Sequence, residues 1–275
     1  MRVLKRLSIL LFTLGTLALG CQSAQEQHTA TNDSDSVRSD PKALAVVEEM
    51  WQALGGKETW QQTGYLGFRW IVERDGQVLG DFRHDWDRKN NRYRVEGVSR
   101  DGQHFVALFD TETRDGEVYV DGAPVQVDST RKKWLERAYA RYINETYWLL
   151  MPYKLNDPGV ILAYEGEREV NGRTYDVLKV TFDNVGLTPG DTYWAFVDRE
   201  DRLMHKWEYK LESHKPEQPA TVTWWEDWRA FDGIKLALNR RFENRPVRIS
   251  FKEVRVAPEA EDAIFSASER TFWPD

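Results

Sequence analysis

A chain of 275 residues in which 41% are hydrophobic can bury a sizeable core, and the length suits one large domain. Its 45 acidic and 38 basic side chains give a net charge of −7, which excludes broad attraction to nucleic-acid phosphates. The single cysteine, Cys21, excludes an intramolecular disulfide and any cysteine-built metal site.

At the N-terminus Arg2, Lys5 and Arg6 precede an apolar run from Leu7 to Leu19, and Ala18-Leu19-Gly20-Cys21 closes it with small residues. The run is too short to span a bilayer comfortably and has the layout of a secretory leader. It resembles a bacterial lipoprotein signal, which implies that residues 1–20 are removed and that Cys21 is acylated. By the same resemblance, Gln22 rather than Asp after the cysteine implies an outer-membrane address facing the periplasm. Within residues 21–40, the stretch from Gln22 to Asp40 is mostly Ser, Asp, Gln, Thr and Asn with almost no apolar groups. They predict a disordered tether with a reach of at most roughly 60 Å.

The folded domain is expected over residues 41–275. Asp40 as N-cap and Pro41 at the first helical position start a helix with Leu44, Val47, Trp51 and Leu54 on one face, and Gly55-Gly56 stops it. From Tyr65 the apolar period changes to two, with turns at Asp75-Gly76, Asn90-Asn91, Asp101-Gly102, Asp115-Gly116 and Asp121-Gly122. Leu66, Phe68, Trp70 and Val72 share one strand face, and Val78, Phe82, His84 and Trp86 share another. Asp128-Ser129-Thr130 opens a second helix, with Trp134, Leu135, Ala138, Tyr142 and Leu149 on its stripe and Pro152 as its stop. Further strands are expected near 160–169, 174–183, 192–199, 202–212, 220–229, 234–243 and 247–256, and a short helix around 262–265. About ten strands with an early and a central helix predict a mainly β (α+β) fold: one strongly curved antiparallel sheet, an unclosed barrel with helices over its open side.

The leader, the helix ending Ala53-Leu54-Gly55-Gly56-Lys57, Trp60 after it and the run of strands resemble the LolA/LolB-type lipoprotein-carrier superfamily. The central Pro152-Tyr153-Lys154-Leu155-Asn156-Asp157-Pro158, with Val180-Thr181-Phe182-Asp183 downstream, is similar to a family of uncharacterised bacterial lipoproteins. The resemblance implies an unclosed barrel plugged by helices, with a cavity for acyl chains or another apolar ligand. Fold alone does not prove that function.

Counting strand faces places His84 between Phe82 and Trp86, His205 between Leu203 and Trp207, and Glu226 between Trp224 and Trp228. Arg240 falls on the face of Leu236, Leu238 and Phe242. Buried charges need partners, so three readings stand open. The first is core groups satisfied by hydrogen bonds. The second is the polar end of an aromatic ligand pocket, with Arg240 on a carboxylate or phosphate head and Tyr153, Lys154 and Asn156 at the mouth. The third is a metal held by His84, His205 and Glu226, the core of an acid/base or metal-dependent enzyme. Asp85 and Asp87 fall on the opposite face and are expected at solvent. No Gly-rich phosphate loop or Gly-x-Ser-x-Gly elbow is present, and no cofactor is implied. The leading expectation is a non-enzymatic, membrane-anchored protein that binds a lipid or other amphiphile. Its alternative is a structural or assembly lipoprotein with a self-filled core.

Overall fold

The computed structural model describes residues 39–271, apart from 184, 186, 187, 267 and 270. The leader, Cys21 and nearly all of the tether lie outside the described residues. Helix α1 (Pro41–Ala53) begins as its sequence requires: the Asp40 carboxylate accepts from the Lys42 amide at 2.8 Å and satisfies an otherwise orphaned donor. Ala43, Val47, Met50 and Trp51 form its buried stripe. The helix stops at Gly55, whose φ of +116° suits glycine, and a Cβ there would lie 2.1 Å from the Gly233 carbonyl oxygen. A short helix, α2 (Lys57–Gln62), follows; six residues are too few for a period to show in sequence.

Strands β1 (Tyr65–Arg74), β2 (Gln77–Asp87), β3 (Arg92–Val98), β4 (His104–Asp110), β5 (Gly116–Val120) and β6 (Ala123–Pro124) form a meander. Helix α3 (Asp128–Leu150) then runs into a 3-10 turn (Met151–Lys154). Pro152 therefore tightens the helix and does not end it outright; at the start of the turn its missing N–H costs little. The second half comprises β7 (Val160–Val170), β8 (Arg173–Phe182), β9 (Thr192–Asp198), β10 (Met204–Lys210), β11 (Thr221–Phe231), β12 (Ile234–Phe242) and β13 (Val247–Ala257), with α4 (Asp262–Ser266) after it.

All thirteen strands belong to one antiparallel sheet in the order β6-β5-β4-β3-β2-β1-β13-β12-β11-β10-β9-β8-β7. Two sequential meanders are thus joined by the long-range pair β1–β13. The sheet is not closed: β6 and β7 are its two edges. Among the described residues no helix is long and apolar enough to cross a membrane.

Helix α3 lies across the inner face. Near its start Trp134 packs on Phe105 of β4 with ring centroids 5.3 Å apart, and near its end Trp148 stacks on Trp207 of β10 at 4.8 Å. Tyr142 between them meets Trp86 and Tyr93 of β2 and β3. Aromatic faces and edges thus knit helix to sheet along its length. The inner face of β1 is Leu66, Phe68 and Trp70, as its alternation predicted. Val78 is exposed, because a register shift after Val72 takes the β1–β2 hairpin tip away from the core.

The opposite face of β1 and β2 is not the solvated surface that alternation suggested. Arg69 forms a two-pronged pair with Asp81, Arg83 binds Asp85, and the Tyr65 hydroxyl donates to Asp85 at 2.5 Å. Asp85 and Asp87, expected at solvent, are only 1% and 2% exposed. Their charges are offset by arginines and by backbone or side-chain N–H groups, the condition under which carboxylates can be buried.

Candidate functional site

The inner face gathers two polar centres. On β2, His84 is fully buried; its Nδ1 lies 2.8 Å from the Tyr93 hydroxyl and its ring stacks on Phe68 at 4.7 Å. Its Nε2 stands 2.7 Å from a carboxylate oxygen of Glu145 on α3, off the line of a hydrogen bond. The other Glu145 oxygen accepts from Arg141 at 2.6 Å. This chain ties the helix to β2 and β3. The sequence placed His84 inward; its partner Glu145 was missed because it lies on a helical face judged by its apolar neighbours.

The second centre is Arg240 on β12, also fully buried. Its Nε and Nη2 donate to the Trp148 carbonyl near the end of α3, at 3.0 and 2.7 Å, and its Nη1 donates to the carbonyls of Ala237 and Asn239. The guanidinium carbon sits 3.4 Å from the Trp225 ring centroid and 5.1 Å from that of Phe251. Burial pushes its ionisation well below the usual arginine value. The indole Nε1 of its ring neighbour Trp225 is buried without a hydrogen-bond partner, as are those of Trp207 and Trp228, whose rings lie 5.7 and 6.5 Å from that of Trp225, and the Thr223 hydroxyl.

The other residues singled out from sequence are dispersed. Tyr153 is buried, not at a mouth: its hydroxyl lies 2.7 Å from the Lys235 carbonyl and its ring stacks on Trp60 at 4.5 Å. Lys154 pairs with Asp157 at 3.2 Å, and Asn156 is exposed beside it. On β11 the expected faces are exchanged: Trp225 is inside, while Trp224 donates to Glu243 at 3.0 Å and Glu226 accepts from Arg241 at 2.8 Å. His205 turns to Asp201, Nε2 to Oδ2 at 2.8 Å.

Both departures have one cause. The β10–β9 register shifts across Met204/Lys206, and in β11 Asp227 has φ +60° where pairing skips from Glu226 to Trp228. A bulge inserts one residue and reverses which side chains point inward. His84, His205 and Glu226 consequently have separate partners and are not brought together around one ion. Instead, ligand atoms of Asp198, Asp201 and His205 lie within 4.8 Å of one another, with Arg173 Nε 3.2 Å from Asp198. Their Asp-x-x-Asp-x-x-x-His spacing on the β9–β10 turn was the available signal.

An open space lies between two strands of the second meander. β12 and β13 pair only where Asn239, Arg240 and Arg241 face Ser250, Ile249 and Arg248. Beyond that they part, leaving a cleft of about 370 Å³. Its walls are Phe231, Leu238, Phe251 and Val254, and its charged groups are Asp227, Arg229, Lys252 and Glu253. Asp227 and Glu253 both have positive φ, +60° and +51°, so bulges on β11 and β13 flank the opening. Glu253 is held by Arg69 and Arg83 at 3.4 and 3.2 Å. None of the side chains proposed from sequence lines this cleft; strand parting leaves no trace in alternation.

Residues 119–216 match a family of unknown function, DUF6503. In structure the chain is similar to a DUF1329 family protein from Desulfovibrio piger, at 15% identity and TM-score 0.49, over 84% of this chain and 99% of that one. It is also similar to a LolA superfamily protein from Nitrosomonas europaea, at 11% identity and TM-score 0.49, over 82% and 97%. The Mycobacterium tuberculosis lipoprotein LppX is similar at 11% identity and TM-score 0.27, over 79% and 97%. No curated protein matches the chain in sequence.

Proposed function

We propose that this chain is an envelope lipoprotein, held to the membrane by acyl chains on Cys21 and a tether over residues 21–40. In this reading its single domain, residues 41–275, takes up a lipid or other amphiphile without chemistry. The observation that carries the proposal is the cleft between β12 and β13. About 370 Å³ of space with apolar walls and charged groups beside them offers an amphiphile both of the surfaces it needs.

A half-barrel architecture is part of the proposal. Between Trp134 and Trp148 α3 advances only about 21 Å, yet these residues contact β4 and β10, which a flat sheet would hold about 34 Å apart. That difference supports a sheet bent around the helix, with His84, Trp86, Trp207 and Arg240 on its inner side. The leader with Gln22 after Cys21 supports an outer-membrane location facing the periplasm.

Native mass spectrometry of the protein released from its own envelope, followed by lipid extraction, tests the proposal. A bound amphiphile at a fixed ratio is the expected result. Protein that carries none and takes none up from mixed micelles would overturn it in favour of a structural lipoprotein, the reading that the dense ring packing beneath α3 favours.

A further inference from the structure

We infer that the amphiphile bears an anionic head, a carboxylate or phosphate ester, and that Arg240, which lies behind the Phe251 wall of the cleft, receives this head; the inference rests on the amphiphile-binding reading above. The four buried arginines among the described residues are Arg69, Arg83, Arg94 and Arg240. Three have carboxylate partners: Arg69 with Asp81 at 2.5 Å, Arg83 with Asp85 at 3.1 Å and Arg94 with Glu96 at 3.3 Å. Arg240 has only carbonyl oxygens and ring faces. The end of α3 supplies a fraction of a negative charge through the Trp148 carbonyl, which is no substitute for a counter-ion in an apolar setting.

The unfilled hydrogen-bonding capacity points the same way. Four contacts occupy all but one of the guanidinium hydrogens, leaving one on Nη2. The indole of Trp225, against whose face the guanidinium lies, is a further buried donor without a partner. Trp225 is the direct cross-strand neighbour of Arg240. A surplus of donors beside an uncompensated cation is complementary to an oxygen-rich anion, not to a neutral or cationic head. Phe251 connects the two, since it lines the cleft and its ring lies 5.1 Å from the guanidinium carbon.

The test compares heads on one tail. The full chain, stripped of lipid, is titrated with myristate, tetradecanol and tetradecyltrimethylammonium, and binding is followed by indole fluorescence and native mass spectrometry. Myristate should bind at least about tenfold more tightly than tetradecanol, and the ammonium most weakly. In Arg240→Met, checked for folding by circular dichroism, the preference for myristate should collapse; if this variant does not fold, the wild-type series alone decides. Equal affinity for acid and alcohol, or tightest binding of the ammonium, overturns the anionic head and leaves amphiphile binding standing. Uptake of none of the three overturns the amphiphile reading itself. Inorganic phosphate competing as well as myristate would make the occupant a free anion and also overturns the proposal.

Discussion

Tyr153 shows how much one hydroxyl can organise. It sits between the end of α1 and the start of β12, 3.1 Å from the Leu54 carbonyl and 2.7 and 3.1 Å from the Lys235 carbonyl and amide. Tyr153→Phe keeps the ring on Trp60 and removes only these contacts, so it should cost about 1–2 kcal/mol in urea unfolding while leaving ligand uptake unchanged. Asp87 offers a pH-resolved counterpart. Burial alone would raise its pKa, but hydrogen bonds from Asn90 and Arg92 outweigh burial and hold the carboxyl below its usual value. Its stabilising effect is therefore complete above the unfolded value of about 3.9 and is lost as pH falls through the lower folded value. The stability gap between wild type and Asp87→Asn should be constant near neutrality and narrow below about pH 4.

At the scale of elements, the joint between the α1–α2 turn and the β11–β12 turn leaves no room for a side chain. Gly55→Ala would place a methyl 2.1 Å from the Gly233 carbonyl at φ +116°, and should cost more than about 2 kcal/mol. Hydrogen exchange should show the loss first at Lys235, whose amide bonds the Leu54 carbonyl. The helices and most strands were legible because caps, turns and periods agree locally, as at Asp40-Pro41 and Asp75-Gly76. Faces were legible only up to a bulge. β1 alternates from Leu66 to Trp70 and β2 from Phe82 to Trp86, whereas Asp227 exchanges Trp224 for Trp225 on the inside, and the shift at Met204/Lys206 sends His205 to Asp201. Nothing in period-two counting marks an extra residue.

For the whole molecule, the buried phenols predict a steep alkaline limit. Burial raises Tyr142 to about 12, and pushes Tyr93, Tyr147, Tyr153 and Tyr193 further above the ordinary value. These side chains stay neutral in the folded state while the unfolded chain ionises above about pH 10. Stability is thus unaffected below that pH and falls as pH rises beyond it. Tyrosinate absorbance should rise in one cooperative step coincident with loss of tertiary circular dichroism, where freely exposed tyrosines would titrate gradually. A bound amphiphile should raise the melting temperature with concentration, because it binds only the folded sheet.

The sequence by itself determined the order of the longer elements, the starts of α1 and α3, and the inward direction of His84 and Arg240, because each depends on neighbours within a few positions. Only the tertiary structure decided what those side chains meet. The β1–β13 pair joins two meanders whose contacting residues lie more than a hundred positions apart, and α3 sets Glu145 against His84 and Trp148 against Arg240. The parting of β12 from β13 likewise follows from long-range pairing. Such contacts depend on which strands share hydrogen bonds and where bulges fall, and local alternation carries no information about either.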